Sequence, residues 1–465
     1  MPENLTRREF IGELGKLGAA AAVVPMVAGG ETMDTKPFDL GRPNWIKELD
    51  EPLTEVDWQQ VARYNERHTT RRGFNLYVEQ ERIDQLGELS SELLSDNLKN
   101  DVPGYTLKDR ALQRAARGGG ASRQFFLDPE KVQGPDTWGV PKWEGTPEEA
   151  SQLVSAAMRH MGAATVGFVE LQTETTEKFI YSVDPDGKEL RIEDVDMPEE
   201  TEEYRVIPKK ARYAIVYTVQ MSEETMARCP TVLGSLTTSL TYTRSQNIQE
   251  RAQVFLNGLG YMGLAESSTN ALGISPALGV YAGLGELSRY NRLLTPEYGP
   301  MVRVFKLLTD LPLAPTKPID AGLYEFCHKC KKCAEACPGK AISFDEEPSW
   351  ETKGGWNNPG HRAWFEDSVL CRFYQRTYTG TNCGLCFSAC PFATKNLASF
   401  NRVRNWMAAT VPAFDATFKS MDDLLYTNFP LEFGKPQKDC EEWWTLNLPD
   451  YGIDTVQTVR TTDNS

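Results

Sequence analysis

Eight cysteines in two tight runs constrain this chain more than any other feature. The first run is Cys327-x2-Cys330-x2-Cys333-x3-Cys337-Pro338, and the second is Cys371-x11-Cys383-x2-Cys386-x3-Cys390-Pro391. Four thiols so close together would make a crowded disulfide framework in a chain of 465 residues. A structural zinc site needs two pairs of ligands, not two sets of four, each trailed by Cys-Pro. Soft thiolates at this spacing suit one face of a cubane iron–sulfur cluster, and a single cluster would leave four cysteines over. Cys229 and Cys440 fall outside the pattern and read as small buried hydrophobes.

The first run has the spacing of the bacterial ferredoxins, in which the fourth cysteine, ahead of proline, reaches across to the partner cluster. Two 4Fe–4S clusters are therefore expected. One falls on Cys327, Cys330, Cys333 and Cys390, the other on Cys371, Cys383, Cys386 and Cys337. Such a pair is a one-electron wire and does not by itself choose a substrate. The cysteine module, residues 321–395, occupies a small part of a chain too long for one ordinary domain, so electrons are delivered to something in the remainder. Lys plus Arg is 50 and Asp plus Glu is 65, a formal charge of −15, which argues against a nucleic-acid partner and against electrostatic docking on a membrane surface.

The first residues carry a second signal. Arg7-Arg8 is followed by Phe10-Ile11 and by a charge-free run from Gly18 to Gly30, the pattern of a twin-arginine export leader over residues 1–29. That run falls short of the roughly 20 apolar residues of a spanning helix, and no other window comes close. The twin-arginine route carries folded cargo, which fits a chain loaded with a cofactor before export.

Between the leader and the cysteines the signals alternate. Residues 30–135 are mixed and polar, with helical periodicity at Trp58–Tyr64 and Ile83–Leu98 and a loop at Gly118-Gly119-Gly120. Thr146-Pro147-Glu148-Glu149 is a capping box that opens a helix to about Met161, with Ala150, Leu153, Ala156, Ala157 and His160 toward one face. Ala164–Leu171 and Ala211–Met221 read as strands, and Ser245–Tyr261 as a helix. Asp184-Pro185-Asp186-Gly187 reads as the turn of a surface hairpin, and the acidic stretch Glu193–Glu203 as a solvated loop; together they form an insertion near 172–210. The middle, residues 136–320, is α+β with an α/β-type pattern. Its segment 260–300 is rich in Gly, Ala and Ser, as expected where backbone approaches a bulky ligand. Residues 396–465 are expected to pack back on the body through Trp406, Phe414, Trp443 and Trp444.

The leader, the mixed middle and the two cysteine runs together resemble a respiratory reductive dehalogenase. The resemblance is densest from Ala211 to Leu397, through Tyr242-Thr243-Arg244, Leu284-Gly285-Glu286-Leu287-Ser288-Arg289 and Thr295-Pro296-Glu297-Tyr298-Gly299-Pro300-Met301-Val302-Arg303. It implies a nitroreductase-like domain that holds a corrinoid base-off, with segment 260–300 favoured for contact, beside the ferredoxin-like module. It implies removal of halide from a small organohalide, a chlorinated alkene or alkane, by two electrons and one proton. Tyr242 falls on the proton donor, with Arg303 and Asn270 flanking it. The implied partners are a small integral-membrane anchor protein and an upstream respiratory electron donor, with the enzyme peripheral on the outer face of the cytoplasmic membrane. The Asp-x-His-x-x-Gly segment that supplies a lower histidine to cobalt in other corrinoid proteins is absent; the histidines are His68, His160, His328 and His361. Two rivals are an epoxyqueuosine reductase, disfavoured by the leader and the acidic charge, and an exported ferredoxin-type electron-transfer subunit, disfavoured by the large body upstream of the clusters.

Overall fold

A computed structural model describes residues 46–106, 125–127, 135–138, 141–393 and 434–453. The export leader, the Gly118–Gly120 loop, Trp406 and Phe414 lie outside the described residues. Strands β1 (Thr165–Glu170), β5 (Tyr213–Gln220), β6 (Leu264–Ala265) and β9 (Val302–Thr309) form the central sheet in the order β1–β5–β9–β6, every pair antiparallel. The period-2 alternation of β5 explains why both faces are covered. Ile215, Tyr217 and Val219 enter one core with Phe305 and Leu307, while Ala214 and Val216 enter the other with Leu278 and Val280. A fully buried side chain such as Phe168 contributes roughly 1.5–3 kcal/mol.

Two helices cover the first of these faces. Helix α2 (Pro147–His160) begins with the expected capping box, both reciprocal bonds of Thr146 and Glu149 being made. Its buried stripe is Ala150, Val154 and Met158, not the predicted face through Leu153, Ala156 and His160. The i, i+4 row carrying the larger apolar side chains turns toward the sheet. Helix α3 (Val232–Leu259) starts well before the predicted Ser245, because Thr231 caps it by accepting from the Gly234 N–H, and Gly260 ends it in the left-handed region at φ 93°. Its first half is rich in Thr and Ser, weak helix formers that packing overrides. Helix α1 (Gln80–Lys99) contains the predicted Ile83–Leu98. Trp58–Tyr64 is not a helix: Asp57 accepts from the Gln59 N–H and from the Gln60 side chain, closing a tight turn instead.

The stretch after β1 also differs from expectation. The turn at Asp184 closes, its N–H donating to Lys188 O at 2.8 Å, but it is no surface feature. Ile180, Tyr181 and Asp184 are buried, and the Tyr181 N–H donates to Leu272 O. Strand β2 (Glu189–Glu193) pairs parallel with β4 (Tyr204–Pro208), and β3 (Glu199–Glu200) within the supposed acidic loop pairs with β4 antiparallel. Glu200 escapes solvation by accepting from Lys188 and Arg205 at 2.8 and 2.9 Å.

Helix α4 (Ser275–Tyr281) and the short pair β7 (Glu286–Leu287) and β8 (Leu293–Leu294) lead into β9. The cysteine module follows as short pieces: α5 (Leu323–Lys329), single turns at Lys332–Glu335 and Leu385–Ser388, and α6 (Ser368–Tyr374), which runs on as a π-helical turn to Thr379. Cys229 and Cys440 are buried, and Trp443 packs back against Leu233, Leu236 and Cys440, whereas Trp444 is 36% exposed. No helix among the described residues is long and apolar enough to cross a membrane.

Candidate active site

A cavity of about 560 Å³ lies where α3, β9, segment 270–293 and the second cysteine set meet. Thr238 and Tyr242, one turn apart on α3, line it. Arg303 lines it from β9, where it pairs with Val219 two residues before Phe305 on the same face. The three residues singled out in the sequence are thus brought together. The Tyr242 hydroxyl donates to Asn270 Oδ1 at 3.2 Å, and its ring meets Phe305 edge-on at 5.5 Å between centroids. Arg303 donates from Nη2 to Thr238 Oγ1 at 3.2 Å, its guanidinium carbon stands 4.9 Å from the Phe387 ring centre, and its buried Nε has no partner among the described residues. Burial disfavours the Arg303 charge, and the neighbouring Tyr242 oxygen acts in the opposite sense.

Asn270 owes its place to residues the sequence left unmarked. It adopts φ 63° and Leu272 φ 70°, the latter a left-handed conformation costing about 1–2 kcal/mol for a residue with this side chain. Asp184 holds this loop: its Oδ1 accepts from the Leu272 N–H at 2.7 Å and its Oδ2 from Ser267 Oγ at 3.3 Å. Arg205 in turn donates to Asp184 Oδ2 at 2.9 Å. Burial pushes the Asp184 carboxyl up to about 6, although the Leu272 N–H and the Arg205 charge both pull it down. Next to the loop, Lys306 and Glu266 form a buried pair at 2.6 Å, with Lys306 also donating to Ser275 Oγ. Burial raises the Glu266 carboxyl and Lys306 opposes it. An Asp-Pro-Asp-Gly turn carries no signal that its first side chain reaches 88 residues along the chain, so sequence patterning could not have found Asp184.

The cysteines group across the two runs. Burial raises the Cys333 thiol, and the neighbours acting in the same direction are Cys327 and Cys330, then Cys390 and, last, Cys386 from the second run. Burial likewise raises Cys386, whose thiol neighbours are Cys383 and Cys337 from the first run. Among the described residues no three His, Cys, Asp or Glu side chains converge as they would on a single ion. A cubane differs, since each of its cysteines binds a separate iron. Eight buried or half-buried thiols, in two runs of four, are the donor set that two such clusters require. Beside the second set, Arg292 pairs with Glu366 at 2.9 Å, a contact without a motif in the sequence.

Six buried side-chain polar atoms on the cavity wall lack a hydrogen-bond partner among the described residues. They are on Glu66, Tyr281, Tyr290, Asn291, Arg303 and Arg372. Native interiors seldom leave such atoms unpaired, so their concentration here marks a site shaped for a ligand with many polar groups. His361, the one histidine on this wall, is pushed down to about 4 by burial and is neutral at physiological pH.

The family model described as reductive dehalogenase subunit matches residues 41–313, and that of a 4Fe–4S double cluster binding domain matches residues 326–393. The tetrachloroethene reductive dehalogenase of Sulfurospirillum multivorans is 32% identical over 320 residues, covering 66% of this chain and 61% of that one. The trichloroethene reductive dehalogenase of Dehalococcoides mccartyi strain 195 is 30% identical over 357 residues, 67% of this chain and 60% of the other. The chain thus spans 60–61% of the length of these two relatives. The chloroethene reductive dehalogenase of Dehalococcoides mccartyi strain VS is 24% identical, covering 97% of this chain and 98% of its own. The solved catabolic reductive dehalogenase NpRdhA shares the fold, with a TM-score of 0.56 at 23% identity over 84% of this chain and 49% of that one. With a family model spanning more than half of its length, and a double-cluster domain matched over both cysteine runs, the chain belongs to the reductive dehalogenase family.

Proposed function

We propose that this chain is the catalytic subunit of a corrinoid-dependent reductive dehalogenase that acts on a small chlorinated alkene or alkane. The observation that carries the reading is the cavity, which sets Tyr242, Asn270 and Arg303 on one wall and Cys337, Cys371, Cys383 and Cys386 on another. The names of the relatives, which act on tetrachloroethene and trichloroethene, support the substrate class. A corrinoid fits the wall: its ring carries peripheral amides, which suit the six unpaired polar atoms. The sheet, α3 and segment 260–300 make up the nitroreductase-like part of this proposal. Bound there, a corrinoid would supply strongly reducing cobalt, and the eight cysteines would hold two clusters that supply single electrons.

The protein's own part follows from elementary chemistry. Replacing carbon–halogen by carbon–hydrogen consumes two electrons and one proton and releases halide. Tyr242 holds a proton on its hydroxyl oxygen, and the Arg303 guanidinium on the same wall offers a positive charge to the oxygen that has given the proton up. Asn270 accepts from the phenol in the structure, and by turning its amide it can donate to the phenolate. Arg303 also offers a fixed positive charge to a departing halide. Ile274, Val280, Leu287 and Leu293 on the wall keep water from competing as acid.

The same proposal places the chain outside the cytoplasmic membrane. Arg7-Arg8 directs twin-arginine export, a small membrane protein anchors the enzyme, and a respiratory donor reduces it. Anaerobic metal analysis of the purified protein, with halide release from chlorinated ethenes, tests the reading. About eight irons and one cobalt per chain are expected. A protein with full iron that binds no corrinoid on reconstitution would be an electron carrier instead. Replacing Arg7 and Arg8 by lysine is expected to leave folded precursor in the cytoplasm, and unchanged export would show the pair to be incidental.

A further inference from the structure

The sequence segment Leu284–Arg289 runs into the pair of short strands that ends at Leu294, and Glu286 and Arg289 in it take no part in proton delivery. Strands β7 and β8 pair around a turn in which the Ser288 N–H donates to Arg292 O at 3.0 Å and Asn291 takes φ 53°. Glu286 accepts from the N–H groups of Ala321, Leu323 and Tyr324 at 2.6, 3.4 and 2.6 Å, fixing the start of α5. Arg289 grips the other end of the same helix. Its Nε donates to the carbonyls of Cys327 and Cys330 at 3.0 and 3.2 Å, and its Nη2 to those of Cys327 and His328 at 2.6 and 3.1 Å. Its Nη1 donates to the carbonyls of Ser343 and Asp345 at 3.0 and 2.6 Å. The guanidinium carbon stands 4.5 Å from the Trp364 ring centre, and the residue is 0% exposed.

Every one of these acceptors is a neutral carbonyl. Among the described residues no carboxylate forms an ion pair with Arg289, and the side chain of nearby Asp345 accepts instead from Ser343 at 2.6 Å. Arg292, beside the second cysteine set, is by contrast neutralised by Glu366. The Asp345 carboxylate favours the Arg289 charge, but less than the thiols of Cys327, Cys333 and Cys330 do; a buried charge with no carboxylate in contact costs several kcal/mol, so its persistence calls for negative charge nearby. The first cysteine set provides it, because a cluster ligated by four thiolates is net negative and becomes more so on reduction.

We propose that Arg289 is the counter-charge of the cluster held by Cys327, Cys330, Cys333 and Cys390 and raises that cluster's reduction potential. The proposal rests on the two-cluster reading of the module and is independent of the corrinoid and of Tyr242. A positive charge lowers the energy of the more negative, reduced cluster more than that of the oxidised one, so its removal shifts the equilibrium toward oxidation.

The test is an anaerobic redox titration followed by electron paramagnetic resonance on the iron-loaded full chain, with iron measured on each sample. Arg289→Gln, which keeps donors without the charge, is expected to disfavour one-electron reduction of the first cluster at least tenfold, about 59 mV, with the second cluster unmoved. Arg289→Lys, which keeps a charge, is expected to shift it less. An unchanged first cluster at full iron, or equal shifts of both clusters, overturns the proposal. Should Arg289→Gln lose the first cluster's iron while Arg289→Lys retains it, the requirement for charge is upheld. Equal iron loss in both variants overturns it, since the planar fork and not the charge is then what matters. Parent iron content tests the two-cluster reading separately.

Discussion

Tyr242 is held from two sides, by Asn270 at its hydroxyl and by Phe305 at its ring. Tyr242→Phe keeps the ring contact and removes only the proton. Turnover is expected to fall about 10²–10⁴-fold, with cobalt and iron contents unchanged on the same samples. Parent-like turnover at full cofactor would remove Tyr242 from the role. Asp184 acts at one remove, through the loop that presents Asn270, and its titration has a definite sign. Its carboxyl is raised from 3.8 to about 6, so in that window the folded chain keeps a proton that the unfolded chain has released. Its contribution to stability is therefore fullest at the acid end and is lost as pH rises through about 6. Asp184→Asn is expected to flatten the change in denaturant midpoint between about pH 4 and pH 6; a slope equal to the parent's would show that another group carries it. Residues of this kind are illegible in a sequence because their partners are set by tertiary packing, whereas cysteine spacing is local and explicit.

At the scale of elements, capping chemistry and alternation were readable, while burial direction and strand partners were not. The Thr146 box and the apolar run of β5 are local patterns, and both formed where expected. The acidic stretch became a strand because cations from β4 and the preceding turn meet Glu200, a pairing that no local pattern encodes. Helix α3 outran its periodic segment because its Thr-rich half is buried on several sides and so has no single polar face to read. The crossed grouping of the cysteines makes an element-level prediction. Cys337 lies in the first run but neighbours Cys383 and Cys386. Cys337→Ala is expected to damage the cluster of the second run and spare that of the first, as resolved by iron content and paramagnetic signals. Loss confined to the first cluster would mean that each run binds its own.

At the scale of the whole molecule, the cysteine module and the sheet domain share a core. Cys327, Cys330, Cys333 and Cys390 pack in one cluster with Phe326, Phe387 and Phe392, and with Ile46, Met221, Tyr290 and Met301 from outside the module. The module's own regular structure is a handful of helices of one to about three turns, too short to be stable in isolation. Its order therefore depends on what the thiols bind, because metal-binding free energy in such small units is also folding free energy. The sheet has a different basis. Its two cores, through Phe168, Ile215 and Leu307 on one face and Val216, Leu278 and Leu308 on the other, contain no cysteine. Stripping iron under anaerobic, reducing conditions is thus expected to open residues 322–393 to protease first, leaving a resistant fragment that retains the strand signal in circular dichroism. The cut sites, mapped by mass spectrometry, decide the matter. Cleavage spread evenly through 141–313 would show that the clusters hold up the entire molecule, and an apo module as resistant as the loaded one would show that packing alone suffices.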